Sequence, residues 1–204
     1  TDLVSCSACG SYREELSPGT FVLVDNFVDR TVRRESSFFG TGCVAHVSFA
    51  HPVGPALQEL IARAAVAEAI PCHRGGTAVC MEGPQFSTRA ESLTYKGLGY
   101  DVIHMTSMPE AKLAREAEIT YAVVCMVTDY DCWHEVHGAV DVASLVAVMN
   151  ENRGKAQRLF ARLASEIPAE RIPCPVGSHR ALDGAIITHP DARDPAMVTK
   201  LRTV

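Results

Sequence analysis

At 204 residues the chain has room for one domain with a substantial core, domains averaging about 150 residues. A hydrophobic share of 47% with 21% charged residues excludes a disordered or collagen-like polymer. Nineteen Lys and Arg against 24 Asp and Glu leave a formal charge of -5 and no basic cluster, so nothing in the composition supports a nucleic-acid-binding surface.

The longest apolar runs fall far short of the ~20 residues that span a bilayer, and no basic-then-apolar leader opens the sequence. Eight cysteines, several of them (Cys80, Cys125) in apolar strand-like runs, suit a reducing compartment in which cysteine serves as a small hydrophobe. A cytoplasmic protein without membrane contact is the expectation. Cys6-Ser-Ala-Cys9 is a CxxC, which reads either as a redox or half-zinc motif or as two structural thiols. No second CxxC or spaced histidine pair completes four ligands, and no metal site is expected.

In chain order, Thr1–Cys6 reads as the end of a strand that runs into a small-residue turn, Ser7-Ala8-Cys9-Gly10. Phe21–Asp25 is a short buried strand after the Pro18-Gly19 turn. Phe38–Gly54 reads as a loop with one short strand. From Pro55, apolar residues at 57, 60, 61, 64 and 65 recur at helical spacing and predict a helix to Ala69. There follow a strand Gly76–Met81, a helix Thr88–Lys96 with Ser87 as its cap, a strand Val102–Met105 and a short helix from Met108 to Ala117. Tyr121–Val127 is a near-continuous apolar strand, and Asp141 caps a helix running to Ile167. Three prolines between Pro168 and Pro175 end it, and Arg180–Ile187 forms a short C-terminal element of unread role. Doubly apolar strands separated by helices predict an α/β sheet covered on both faces, in a single domain over 1–204.

Ligands of such sheets collect beyond the carboxyl ends of the strands. Four of those loops carry chemistry: Ser7–Gly10, Glu82–Ser87, Met105–Glu110 and Thr128–Trp133. Each mixes hydroxyls, small residues or carboxylates with apolar or aromatic neighbours.

The strings GTAVCMEGPQFSTRAE (76–91), GYDVIHMTSMPE (99–110) and TDYDCW (128–133), with ACGS (8–11) and DNFVDRT (25–31), resemble the trimeric purine nucleoside phosphorylases, and within them the branch that cleaves S-methyl-5′-thioadenosine. The likeness covers about residues 4 to 165. It implies a mixed, largely parallel twisted sheet flanked by helices. It also implies a phosphorolysis in which inorganic phosphate, as co-substrate and without any cofactor, displaces a purine from C1′ of a ribosyl group. Other purine nucleosides, or mere nucleoside binding, remain alternatives.

By that resemblance Asp129 is the catalytic carboxyl beside purine N7, where an asparagine would suit a 6-oxopurine; by pattern alone it is equally a turn aspartate. Asp131 accepts from the purine amino group or fixes the loop of Asp129. Phe86 lies against the base, and Ser87, which replaces the glutamate of oxopurine-specific relatives, favours a 6-aminopurine. Met105 lies beneath the ribose, and Thr106, Ser7 and Ala8 receive phosphate, the last two through a turn whose amides form an anion-receiving concavity. His46 reaches the 5′ substituent, in many members across a subunit boundary, while Val142 and Leu145 wall the methylthio group. Solvated-loop and core readings remain open for these residues.

The family's glycine-rich turn and arginine-histidine motif, which hold the rest of the phosphate, do not occur in this sequence. The resemblance therefore implies that N-terminal strands are absent from it, about 60 residues at roughly 30 per βαβ unit. It further implies that this chain alone lacks appreciable turnover, and that its partners are a separate N-terminal segment and like copies in a trimer or a dimer of trimers.

Overall fold

The structure, a computed structural model, describes residues 2–134, 142–170 and 173–202, without the side chains of 142 and 144. Its strands are β1 (Asp2–Ser11), β2 (Phe21–Leu23), β3 (Asn26–Asp29), β4 (Cys72–Arg74), β5 (Thr77–Cys80), β6 (Val102–His104) and β7 (Thr120–Asp129). Its helices are α1 (Pro55–Ala67), α2 (Arg89–Gly97), α3 (Ser107–Glu116), α4 (Val142–Glu166) and α5 (Pro195–Leu201).

The strands form one mixed sheet in the order β3-β5-β6-β1-β7-β2-β4. Parallel ladders join β1 to β7, β2 to β4, β3 to β5 and β5 to β6, and antiparallel ones join β1 to β6 and β2 to β7. The fold is α/β, largely parallel, as expected. Alternation along β7 sends Tyr121, Val123, Cys125 and Val127 into a cluster with Met108, Ala111 and Ala114 of α3. The intervening Ala122 and Val124 pack with Leu57 and Ile61 of α1 and Leu159 and Leu163 of α4. Helices thus cover both faces of the central strands, which accounts for their uninterrupted apolar runs.

One ladder is short, and it positions the site. β1 and β6 pair only at Gly10↔Ile103 and Ser11↔Val102. Continued by register, Ser7 would face Thr106, and those two are joined through their side chains, Thr106 Oγ1 donating to Ser7 Oγ at 2.7 Å. Between the end of the ladder and this hydroxyl contact the sheet opens.

Several local expectations need correction. Ser7–Gly10 is the interior of β1 and not a turn, because residues 2–9 are all laddered to β7; the small side chains suit a crowded central strand. The cap of α2 is Thr88, whose hydroxyl accepts from the Glu91 amide in a full capping box, and Ser87 lies one residue outside it. In 38–54 the expected strand reduces to isolated bridges, Gly40↔Cys43 and Ala45↔Ile186. Arg180–Ile187 contributes part of a 3₁₀ turn and that second bridge. β3, β4 and α5 were not foreseen. Asp141 lies outside the described residues. Cys6 and Cys9, three apart on one strand, point to opposite faces, which removes the CxxC reading; all eight cysteines are free. Among the described residues no helix is long and apolar enough to cross a membrane, and no cluster of His, Cys, Asp or Glu could hold a metal ion.

Candidate functional site

A cavity of about 310 Å³ occupies the opening between β1 and β6, a volume in the range of small-ligand sites. Its walls are residues 6–10 of β1, Ile103–Thr106, Met81, Phe86, Thr128, Asp129, Asp131 and Leu145. β5 and β6 run opposite to β1 and β7, so the loops that meet here do not all leave one end of the sheet. They converge along the seam where the β1–β6 ladder stops.

Asp129 closes β7, in register with Gly10 of β1 just past a bulge at Thr128 of β7. A β-carbon at Gly10 would stand 3.0 Å from Asp129 Oδ1, 3.2 Å from the Asp131 β-carbon and 3.2 Å from Ile103, so only glycine leaves the carboxylates room. Thr128 Oγ1 donates to Asp129 Oδ2 and the Asp131 amide to Oδ1, each at 2.7 Å. Burial nevertheless holds the Asp129 carboxyl above the usual carboxylate range, the neighbouring Asp131 charge adding to it against those two hydrogen bonds. Asp131, 5% exposed, accepts at Oδ2 from Tyr12 OH at 3.0 Å, and burial raises its pKa as well. Trp133 Nε1 donates to the Ser11 carbonyl at 2.6 Å, tying the carboxylate loop back to β1. Both carboxyls thus hold a proton more tightly than an ordinary one, and Tyr12 orients the one at Asp131.

Along the seam stand the hydroxyls of Ser7 and Thr106. Ser7 is 5% exposed and Thr106 is open to solvent. Phe86 presents an exposed ring to the cavity, 51% accessible, which is unusual for so large an apolar side chain. A proton-holding carboxyl, an acceptor, an aromatic face and a hydroxyl pair in one cleft suit a flat, polar-edged heterocycle beside an anion.

The model of the phosphorylase superfamily matches residues 1–165. The chain belongs to that superfamily. An S-methyl-5′-thioadenosine phosphorylase of Bradyrhizobium diazoefficiens is 66% identical over 204 residues, all of this chain and 70% of that protein. The enzyme of the same name from Cereibacter sphaeroides is 58% identical over the same shares. Among solved structures, a methylthioadenosine phosphorylase sourced from an antarctic soil metagenomic library superposes with a TM-score of 0.91 at 42% identity, covering 98% of this chain and 70% of that one. A methylthioadenosine phosphorylase from Schistosoma mansoni in complex with adenine gives 0.84 at 30% identity, over 96% and 74%.

In this phosphorylase the structure gathers most of the expected residues, Ser7, Ala8, Phe86, Met105, Thr106, Asp129, Asp131 and Leu145, on one cavity. Ser87 stands beside it: its hydroxyl is 3.8 Å from the sulfur of Met81, which does line the wall. Val142 opens α4, and its side chain lies outside the described residues. His46 lines a different cavity, of about 460 Å³, with Arg115, Arg180 and Asp183. The amides of Ser7 and Ala8 belong to a strand, so the expected concavity of turn amides is replaced by a strand edge beside the Ser7 hydroxyl.

The sequence reading passed over Cys6, Met81, Ile103 and His104 of the wall, and it gave no role to Cys9, Gly10 and Thr128 within the loops it singled out. Gly10 carries a signal in retrospect, a glycine at the centre of a buried strand, which marks a close approach. His104 does not; its Nδ1 lies 3.9 Å from Cys125 Sγ and its buried Nε2 has no hydrogen-bond partner among the described residues, facts that depend on strands distant in sequence.

Proposed function

We infer that the protein transfers the 5-methylthioribosyl group of 5′-methylthioadenosine to inorganic phosphate, releasing adenine and 5-methylthioribose 1-phosphate. The observation that carries this reading is the placement of Asp129, its pKa raised, in one cleft with the Ser7–Thr106 hydroxyl pair. Substantial identity to two phosphorylases of that substrate supports it.

A phosphate oxygen bonds to C1′ as the C1′–N9 bond breaks, and the bonding pair leaves with the purine. The charge that develops on the base is relieved at N7, where Asp129 supplies a proton; a carboxyl with raised pKa holds that proton at higher pH than an ordinary one. Asp131 accepts from the exocyclic amine, and Phe86 gives the base an apolar face. Thr106 and Ser7 bind phosphate, and Met105 lies under the sugar. Leu145 and Val142 wall the methylthio group, and Ser87 leaves room for an amino purine. No cofactor takes part.

Among the described residues no Arg or Lys lines this cavity, and two hydroxyls cannot balance a phosphate dianion. In this proposal a cationic group from a separate N-terminal segment completes the anion site. The relatives named above are longer than this chain, which spans about 70% of them. That His46 sits apart from Asp129 within one chain favours its serving a neighbouring copy in a homotrimer. Residues 1–204 then act as one unit, and eight free thiols accord with the cytoplasm.

The test is phosphate-dependent adenine release from methylthioadenosine by the full-length protein, followed by chromatography. Asp129→Asn should lower kcat/KM for methylthioadenosine by about 10²–10⁴-fold, the usual worth of a general acid, and shift preference toward a 6-oxopurine nucleoside. Unchanged rate and base preference would remove Asp129 from the role.

A further inference from the structure

Arg34 follows β3, three residues beyond the 25–31 string and outside every motif discussed above, yet its guanidinium reaches both loops that build the cavity. Nη1 donates to the carbonyl of Met105 at 2.6 Å and to that of Met108. Nη2 donates to the carbonyl of Glu82 at 2.9 Å and approaches that of Met81 at 3.4 Å, while Nε meets Glu82 Oε1 at 3.2 Å. Three of these carbonyls lie just past the ends of β5 and β6, where the strands leave their ladders, and the fourth, Met108, sits in the first turn of α3 in a non-helical conformation; there the backbone acceptors need new partners. Glu82 fixes the clasp from the other side: its Oε2 also accepts from the amides of Val32 and Arg33.

The geometry points to Arg34 as a positioning residue of the phosphorolysis site, which holds the Met81–Phe86 loop and the Met105–Met108 segment at a fixed separation. The inference rests on the function proposed above. The two segments are in close contact: a β-carbon at Gly83 would stand 2.5 Å from Met105 Sδ, so a small relative shift moves the surface under the sugar. Met81 and Phe86 on one segment and Met105 and Thr106 on the other all line the cavity. Loss of the clasp therefore alters the nucleoside end and the phosphate end together. Lysine cannot replace it, because a single ammonium lacks the planar fork that meets acceptors on two loops at once.

The experiment compares full-length parent, Arg34→Lys and Arg34→Ala by steady-state kinetics, thermal unfolding and amide hydrogen exchange. For Arg34→Lys we expect a thermal midpoint close to the parent's and a kcat/KM lower on the order of 10²-fold, the scale of a small misplacement, with KM for nucleoside and phosphate rising together. Exchange should quicken at 81–83 and at 105–108 in the same variant. Millimolar methylguanidinium should restore part of the activity of Arg34→Ala. Kinetics of Arg34→Lys within twofold of the parent, quickened exchange in one segment only, or a folded Arg34→Ala that methylguanidinium does not rescue would each overturn the assignment. A parent that fails to cleave methylthioadenosine overturns the proposed function instead, and the exchange pattern still decides the role of Arg34.

Discussion

Asp129 and Asp131 are both lifted by burial above the ordinary carboxylate value of about 3.9, so over the interval between that value and the raised one the folded chain holds more protons than the unfolded chain. Their contribution to stability is fully present below the ordinary value and is lost as pH rises through the raised one. Glu82 and Glu91 act in the opposite sense. Backbone amides hold both below the ordinary value, and their contribution is lost as pH falls through the lowered one. Asp129→Asn should therefore melt at a higher temperature than the parent at pH 7, and the gap should close toward pH 4. Thermal melts across that range check the sign, and a gap that widens in acid refutes it. A site residue kept at a cost to stability is what such a carboxyl should look like. Tyr12→Phe tests the partner of Asp131. Removing the hydroxyl leaves a 5%-exposed carboxylate short of a donor, at a cost of about 1–3 kcal/mol, larger at neutral pH than in acid, read from denaturant midpoints.

At the scale of elements, what could be read ahead depended on whether the signal was local. α1 was legible because Pro55 opens it and Leu57, Ile61, Ala64 and Ala65 fill one buried face. β7 was legible because helices cover both its faces. β3 and β4 were not, since strands of four and three residues with half-exposed or exposed side chains owe their existence to neighbours distant in the chain. The small residues of 7–10 mimic a turn, and only the ladder to β7 reveals them as strand. The same division runs through the site. The carboxylates and the Thr106 segment sit in contiguous strings and could be matched, whereas Arg34 meets partners 47 to 74 residues away and has no local mark. The α2 terminus is an intermediate case, because the Thr88–Glu91 spacing was present but the preceding serine competed for the role. Thr88→Ala should cost about 0.5–2 kcal/mol in unfolding free energy, and Ser87→Ala far less, as measured by denaturant midpoint. Equal losses would return the cap to Ser87.

In the proposed function the molecule as a whole brings two ligands to one seam between β1 and β6. A ligand that binds only the folded state adds RT ln(1 + [L]/Kd) to stability, about 2.7 kcal/mol at a hundredfold excess over Kd, or about 5–11 °C in Tm for a chain of this size. Adenine and phosphate engage different walls in the proposed site, so their stabilisations should separate by substitution. Asp129→Asn should lose most of the adenine shift while keeping that from phosphate. Thr106→Val, which deletes the hydroxyl that donates to Ser7 but keeps the side chain's shape, should lose much of the phosphate shift and keep that from adenine. Melts of the full-length protein at fixed protein concentration read all four shifts. Should both substitutions weaken both ligands equally, the seam would be one undivided site, and the division of labour between Asp129 and Thr106 would be wrong.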